Sequence, residues 1–257
     1  MTEASVSIGV AGSLGPAAIA SIAAAVEAAG FHALWVNDTP GADSLAAIAA
    51  AAETTDRLAL ATGVVPVDRR PVDEIVAAVR DLPQERLVLG IGSGAARTGA
   101  LALVGAAAAR LRAGTRARVM VGALGPRMRQ LAAEEADGPL LSWLTPARAS
   151  DQAHDARSES RDAHVALYVR TALEPAAAER LARETAQYAG YPAYAANLQR
   201  LGILATDTTL DDRRFEAGLR SYRAAVDEVV LRAITPSGSA DDIVRFVESA
   251  AARIAGE

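Results

Sequence analysis

The chain has 257 residues, of which 51% are hydrophobic, and its formal net charge is −5. A chain of this length buries about 70 to 75% of its unfolded surface, so it can form a large core without disulfides or metals. The negative charge argues against nucleic acid or an anionic membrane as the main partner, because no basic field is present to replace counterions. No apolar run approaches the roughly 18 to 20 residues of a membrane span, and the N-terminus lacks the layout of a signal peptide. We therefore expect a cytoplasmic protein.

Several reactive residue types are missing. The sequence has no Cys and no Lys, so all 26 basic residues are Arg. This excludes thiolate nucleophiles, cysteine metal sites, Schiff bases and the Lys-dependent P-loop. The three histidines, His32, His154 and His164, are scattered without a ligand spacing, so we expect no metal centre. If the protein is an enzyme, a bound cofactor must supply most of its reactive chemistry.

Eight apolar, β-prone runs alternate with helical patterns along the chain. The runs cover residues 6–10, 33–36, 58–61, 87–91, 118–122, 140–143, 165–169 and 229–231. The helical patterns cover residues 16–29, 43–54, 71–81, 98–113, 126–136, 146–157, 175–201 with 215–226, and 240–255. Strands too apolar to face water, each followed by a helix, are typical of a parallel sheet, and eight such units fit a (β/α)8 barrel. Since no linker divides the chain, we predict a single α/β barrel domain over residues 1–257.

Three of the predicted strands run into a glycine-containing segment, here called a glycine exit. Gly63-Val64 follows the third strand, Gly92-Ser93-Gly94 the fourth and Leu124-Gly125-Pro126 the fifth. Because glycine has no Cβ, the backbone at these positions can lie close against a flat ligand. A helix that starts at Pro126 presents free N–H groups to an anion such as phosphate. Because the loops after the strands of such a barrel share one rim, we expect these exits to converge with Asn37-Asp38 and Trp143.

Four segments taken together resemble the bacterial luciferase-like monooxygenase superfamily, particularly its deazaflavin-dependent branch. They read AVEAAGFHALWVND, LALATGVVPVDRRPVDEIV, ERLVLGIGSG and VMVGALGPRMRQLAAEEADGPLLSWLTP, and the last third follows loosely through YRAAVDEVVLRAI. The resemblance implies a (β/α)8 barrel with shortened insertions that binds coenzyme F420 or FMN at its C-terminal rim and transfers hydride. Oxygen is an acceptor in the FMN branch. Relatives commonly pair through helices flanking the early strands, so a homodimer is expected.

The resemblance also implies a set of cofactor-binding residues. Gly63 and Val64 match a cis non-prolyl bond that forms a bulge behind the ring, and Asp38 matches a residue near the ring edge. Gly92, Ser93 and Gly94 match the loop along the cofactor. Leu124, Gly125 and Pro126 match a backbone site for its tail. Arg127 and Arg129 are candidates for an acidic tail, although both also fit exposed helix arginines.

Two positions depart from the family pattern. Thr39 stands where several sugar-phosphate members have a catalytic His, and Ala95 stands where they have a Glu. No acid/base pair remains there, so no catalytic residue is assigned. The expected function is hydride transfer between coenzyme F420 and a small organic substrate. The alternatives are an FMN-dependent monooxygenase, a barrel that binds a flavin or deazaflavin without turnover and, more weakly, a phosphate-binding isomerase.

The sequence leaves the roles of several other residues undecided. Tyr168 and Arg170 share one face of their strand, which points either into the barrel or towards the helices, and we leave both out of the site. Arg69 and Arg70 fit either a phosphate site or salt bridges at the rim. The tyrosine-rich stretch 188–194 lies in the longest segment that joins a predicted strand to the helix after it. We expect a helical hairpin in this segment to cover the barrel mouth.

Overall fold

The structure, a computed structural model, describes residues 3–39, 41–96 and 98–256. Its strands are β1 (Ser5–Ala11), β2 (Ala33–Asn37), β3 (Ala59–Thr62), β4 (Val65–Pro66), β5 (Leu87–Gly92), β6 (Arg118–Gly122), β7 (Pro139–Ser142), β8 (Ala166–Ala172), β9 (Leu210–Asp211) and β10 (Glu228–Ala233). Its α-helices are α1 (Pro16–Ala28), α2 (Ser44–Ala52), α3 (Val72–Val79), α4 (Ala100–Gly114), α5 (Pro126–Glu135), α6 (Pro146–Glu159), α7 (Ala178–Gly190), α8 (Pro192–Leu201), α9 (Phe215–Arg223) and α10 (Ala240–Ala255).

Eight of these strands close into one parallel barrel. The order around it is β1, β2, β3, β5, β6, β7, β8 and β10, and β10 pairs with both β8 and β1. The short strand β4 pairs with β5 beyond the end of β3, and β9 pairs with the end of β8. Each predicted apolar run overlaps one barrel strand, which confirms the predicted (β/α)8 fold. The C-terminal ends of the strands therefore share one rim.

The apolar faces of the helices cover the outside of the barrel. Ile19 and Ile22 of α1, Ile48 of α2 and Phe246 of α10 belong to one buried cluster with the outward side chains of the strands. The Ala-rich sequences of α1, α2 and α4 favour helix, because alanine has the highest helix propensity. Within the described ranges, no helix is both long and apolar enough to cross a membrane.

The inside of the barrel is filled from alternate positions of the strands. Trp35 of β2, Met120 of β6 and Tyr168 of β8 belong to a second buried cluster, which lies within the barrel. Successive side chains of a strand point to opposite faces, so residues two positions further along point the same way. Asn37 and Arg170 therefore face the interior at the rim, which settles the face that the sequence left open.

A buried carboxylate ties the base of the barrel together. The side chain of Glu228 accepts hydrogen bonds from Ser7 Oγ and Trp35 Nε1, both at 2.6 Å, and lies 3.0 Å from His164 Nε2. Burial alone would raise the pKa of Glu228, but the hydrogen bonds from His164, Ser7 and Trp35 outweigh it and lower the pKa below its ordinary value. The carboxylate is therefore ionised at neutral pH and links β10 to β1 and β2.

The helical pattern predicted over residues 175–201 divides into α7 and α8. Pro192 has no backbone N–H and disfavours the helical conformation in the residue before it, and Tyr191 accordingly has φ −74° and ψ 130°. The two helices form the expected hairpin. Its side chains Tyr188 and Tyr194 reach the barrel mouth.

Candidate functional site

A cavity of about 370 Å³ opens at the C-terminal ends of the barrel strands. Small-molecule and cofactor sites commonly measure roughly 300 to 1,000 Å³, so its size suits a planar ligand. Its walls come from the ends of β2, β3, β5, β6, β7 and β8 and from the α7–α8 hairpin. The lining residues are Asn37, Gly63, Val64, Gly92, Ser93, Gly94, Gly122, Ala123, Leu124, Leu140, Leu141, Ser142, Tyr168, Arg170, Tyr188, Ala193 and Tyr194.

The floor of the cavity is a bulge at Gly63 and Val64, which are joined by a cis peptide bond. Asn37 Nδ2 donates a hydrogen bond to the Gly63 carbonyl, which fixes the bulge to the end of β2. The Val64 side chain packs over two glycines: a Cβ at Gly92 would lie 2.6 Å from Val64 Cγ2, and one at Gly122 would lie 3.1 Å from Val64 Cγ1. Only glycine at these two positions lets Val64 present a flat apolar surface to the cavity.

Two polar atoms near this floor have no partner among the described residues. The hydroxyl of Tyr168 and Oδ1 of Asn37 are both buried and unpaired. Buried polar groups are normally hydrogen-bonded, so these two groups, on residues that line the cavity, are available to bond a ligand. Burial, the largest cause, raises the pKa of Tyr168, which keeps its hydroxyl protonated and able to donate at neutral pH.

The wall above Tyr168 carries the buried cation Arg170. Its Nε donates to Glu184 Oε1 at 3.2 Å, and its Cζ lies 4.1 Å from the centre of the Trp143 ring and 4.6 Å from that of Tyr188. Trp143 is 2% exposed and has the left-handed φ of 58°. It stands behind Arg170, so it supports the cavity wall rather than lining it.

A second arginine cluster borders the predicted tail site. The carbonyl of Leu124 accepts hydrogen bonds from Arg129 Nη1 and Arg200 Nη2, both at 3.1 Å. Burial and the charge of Arg200 lower the pKa of Arg129, while Asp155, whose Oδ2 lies 3.8 Å from Arg129 Nη2, opposes them. Arg129 Nε is buried without a partner in the described part of the chain. Helix α5 begins here with Gly125 as an N-cap that has no side-chain hydrogen bond. Free N–H groups and two guanidiniums therefore concentrate positive charge at one edge of the cavity.

The structure brings six of the nine predicted site residues together, namely Gly63, Val64, Gly92, Ser93, Gly94 and Leu124. Gly125 and Pro126 lie outside the cavity lining, at the start of α5. Asp38 also lies outside it: its carboxylate accepts from Ser44 Oγ at 2.8 Å and pairs with Arg69 at 2.7 Å. Asp38 follows the inward residue Asn37, so the alternation of the strand turns its side chain away from the cavity.

Asn37 lies at this rim as expected from the sequence, although it was not assigned to the cofactor site, and Tyr168, Arg170 and Arg200 were left out of that site. The first three follow from strand alternation once one inward residue is known, whereas Arg200 reaches Leu124 only because the hairpin folds back over the rim. Arg69 forms a salt bridge at the rim, as one of the two earlier interpretations held, and so does Arg70, whose partner is Asp43 at 2.7 Å.

The cavity contains little acid/base chemistry of its own. None of its lining side chains within the described ranges is Asp, Glu or His, and its ionisable groups are tyrosines and Arg170. Neither Thr39 nor Ala95 lines it. In the part of the chain that the structure describes, no group of His, Asp and Glu side chains is arranged to hold a metal ion. The arrangement can bind, orient and donate hydrogen bonds, but a proton-abstracting carboxylate or imidazole is not among its lining groups.

The fold and the cavity define a (β/α)8 barrel with its candidate site at the C-terminal rim. The chain belongs to the luciferase-like monooxygenase family, whose sequence model matches residues 2–116 and 100–255. Membership of this family makes it an oxidoreductase of the luciferase-like class, as the sequence analysis expected. No curated protein sequence matches the chain.

Solved structures share the fold at low sequence identity. A coenzyme F420-dependent tetrahydromethanopterin reductase from Methanopyrus kandleri has a TM-score of 0.72 and 15% identity, over 96% of this chain and 98% of that one. An F420-dependent secondary alcohol dehydrogenase in complex with an F420-acetone adduct has a TM-score of 0.69 and 14% identity, over 97% and 99%. The monooxygenase RslO1 from Streptomyces bottropensis has a TM-score of 0.71 and 18% identity, over 96% and 98%.

Proposed function

We propose that the protein transfers a hydride between coenzyme F420 and a small organic substrate. The observation that carries the proposal is the cavity floor, where Val64 presents a flat apolar surface over Gly92 and Gly122. A planar ring on that surface would find Asn37 Oδ1 and the Tyr168 hydroxyl within the same cavity as unpaired hydrogen-bonding groups. Two of the structural neighbours are described as F420-dependent, which supports the same cofactor.

The residues present fit the ring and tail of such a cofactor. Val64 would lie behind the ring, the loop from Gly92 to Gly94 along it, and Leu124 beside its tail. When bound, the deazaflavin supplies the carbon that accepts or gives up the hydride. An acidic tail would meet Arg129 and Arg200, whose guanidiniums already converge on the Leu124 carbonyl. This positive edge favours a cofactor that carries several negative groups over one with a single phosphate.

The contribution of the protein is positioning and exclusion of water. The α7–α8 hairpin places Tyr188 and Tyr194 in the cavity lining, where they would shield a bound ring from solvent. The Tyr168 hydroxyl stays protonated and can hydrogen-bond the substrate or the ring. Holding two reactants in one orientation lowers the barrier without an acid/base residue, which fits the absence of a carboxylate or imidazole from the cavity lining in the described ranges.

The direct test is titration of the purified protein with coenzyme F420 and, separately, with FMN. Quenching of the deazaflavin fluorescence reports the first equilibrium, and flavin absorbance reports the second. We expect F420 to bind more tightly than FMN and to exchange hydride with a donor or acceptor substrate. Tighter FMN binding with oxygen consumption after reduction would instead assign an FMN-dependent monooxygenase. F420 binding without hydride exchange would leave a binding protein, and binding of neither cofactor would overturn the proposal.

The tail contacts are tested by substitution. Arg200→Gln removes a charge beside Leu124 and should weaken F420 binding about 10- to 100-fold, as loss of a charge-assisted hydrogen bond predicts. Arg148→Gln is the matched control, because Arg148 is a half-exposed arginine on α6 that pairs with Asp151. Equal F420 affinity for both variants would remove Arg200 from the cofactor site.

A homodimer and a cytoplasmic location belong to the same proposal. The family resemblance implies pairing through helices that flank the early strands, which here are α1 and α2. Sedimentation velocity distinguishes one chain of 26.5 kDa from two. A monomer at micromolar concentration would contradict the proposed dimer without affecting the cofactor site.

A further inference from the structure

Two inward arginines stand side by side on neighbouring barrel strands. In the parallel pairing of β8 with β10, Ala166 is level with Glu228, Tyr168 with Val230 and Arg170 with Arg232. Tyr168 and Val230 both belong to the cluster inside the barrel, so strand alternation turns the next layer, Arg170 and Arg232, inward as well. The uppermost layer of this wall is therefore a pair of guanidiniums.

The charges of this layer are not balanced by the residues around it. Arg170 pairs through Nε with Glu184 Oε1 at 3.2 Å. Arg232 donates to the backbone carbonyl of Ala233 at 2.5 Å, and no carboxylate of the described residues lies within ion-pair distance of it. Burial and, further, the charge of Arg170 lower the pKa of Arg232, while Glu184 opposes them. Arg170 is buried and Arg232 is partly buried, and in the described part of the chain only Arg170 of the two forms an ion pair with a carboxylate. Positive charge held away from water is costly unless a group of opposite sign lies beside it.

The guanidinium of Arg170 is also held in one orientation. The rings of Trp143 and Tyr188 contact it at 4.1 and 4.6 Å from their centres, and neither contact uses its N–H groups. The residue is 6% exposed, it lines the cavity, and its Nη1 is buried without a partner in the described part of the chain. One layer below, the unpaired hydroxyl of Tyr168 lines the same wall. The planar guanidinium of Arg170 offers N–H donors beside the hydroxyl donor of Tyr168. This arrangement of donors matches the two oxygens of a carboxylate.

We infer that Arg170, with Arg232 beside it and Tyr168 below it, binds a carboxylate group of the substrate. The inference depends on the proposed function only in placing this substrate in the cavity that takes the cofactor. The arginines at Leu124 belong to a different wall and serve the tail, so the layer on β8 and β10 is free to recognise a second anion. The substrate class is then a small organic acid that presents its carboxylate to this wall.

The test uses benzoate and benzamide, which are nearly the same size and differ in charge. Binding to the wild-type protein without cofactor is measured by ligand-observed NMR or calorimetry. We expect benzoate to bind about 10- to 100-fold more tightly than benzamide, as a charge-assisted pair predicts. Equal affinities, or tighter binding of benzamide, would overturn the inference. Because no cofactor is present, this result is separate from the F420 titration.

Substitutions of Arg170 test whether the bound anion lies at this residue. Arg170→Gln should abolish the preference for benzoate and leave F420 affinity within about twofold of wild type, whereas Arg148→Gln should change neither. Arg170→Lys should retain part of the preference, because the charge remains and the fork is lost. If Arg170→Gln weakens F420 binding while benzoate binds as before, the guanidinium serves the cofactor and the inference is wrong. Should Arg170→Gln not fold, Arg200→Gln and Tyr168→Phe still decide: Tyr168→Phe should weaken benzoate binding and Arg200→Gln should not, and the reverse result would place the anion at Leu124 and overturn the inference.

Discussion

A single added methyl group tests the packing of Val64 over Gly92. In Gly92→Ala the new Cβ would lie 2.6 Å from Val64 Cγ2, so Val64 has to move towards the cavity or the end of β5 has to shift. Overpacking of this kind typically destabilises by about 1 to 3 kcal/mol. The lower conformational entropy of alanine in the unfolded chain offsets about 0.4 to 1 kcal/mol of this, which leaves a net destabilisation between about 0 and 2.6 kcal/mol with a midpoint near 1.3 kcal/mol.

Two measurements on Gly92→Ala check this reasoning. Urea unfolding should give a lower midpoint with an unchanged slope, and F420 titration should give a weaker complex because the floor under the ring is displaced. Gly190→Ala is the matched control, since a Cβ at Gly190 meets no atom within 4 Å. That control should be as stable as wild type or more so. Unchanged stability and unchanged F420 affinity in Gly92→Ala would refute the account of the floor.

Three further predictions concern single side chains. Glu228→Gln should destabilise the protein by about 1 to 3 kcal/mol at pH 7, because a buried carboxylate loses charge-assisted bonds to groups such as His164. Since the pKa of Glu228 is lowered on folding, its contribution is complete above the ordinary carboxyl value of about 4.3 and is lost as the pH falls through the lower folded value. Urea unfolding at several pH values should therefore show the Gln variant and wild type converging below about pH 4, and a constant difference would contradict this. Asp38→Asn should lower the unfolding midpoint, since it breaks the pair with Arg69, and leave the F420 dissociation constant unchanged; a loss of F420 affinity would return Asp38 to the cofactor site. Tyr168→Phe removes a hydroxyl that has no partner among the described residues, so thermal unfolding should show equal or higher stability while benzoate binding weakens, and a clear loss of stability would mean that the hydroxyl is paired within the fold.

The barrel could be predicted from the sequence because its strands are short apolar runs separated by helix signals. Pro126 and Pro146 begin their helices as expected, and Asp43 caps α2 by accepting from the N–H groups of Leu45 and Ala46. These signals are local, so the sequence carries them completely. The meeting of the glycine exits could also be predicted, because segments that follow the strands of such a barrel all lie at its C-terminal rim.

The side-chain walls of the cavity could not be predicted in the same way. The sequence shows that Tyr168 and Arg170 share a face, but which face points inward depends on pairing with β10 across more than 60 intervening residues. Asp38 illustrates the same difficulty. Neighbouring residues of a strand point in opposite directions, so Asn37 faces the cavity and Asp38 faces away from it. Arg200 reaches Leu124 through the folding back of the hairpin, for which no local pattern exists.

The central claim is that a planar deazaflavin lies on the surface formed by Val64. Methyl-labelled NMR of the protein during titration with coenzyme F420 tests it most directly, because an aromatic ring shifts the resonances of methyl groups that it covers. The account predicts large shifts for the Val64 methyls and none for Val244, which lies on the outer helix α10. Tight binding of F420 that leaves the Val64 resonances unmoved would contradict it.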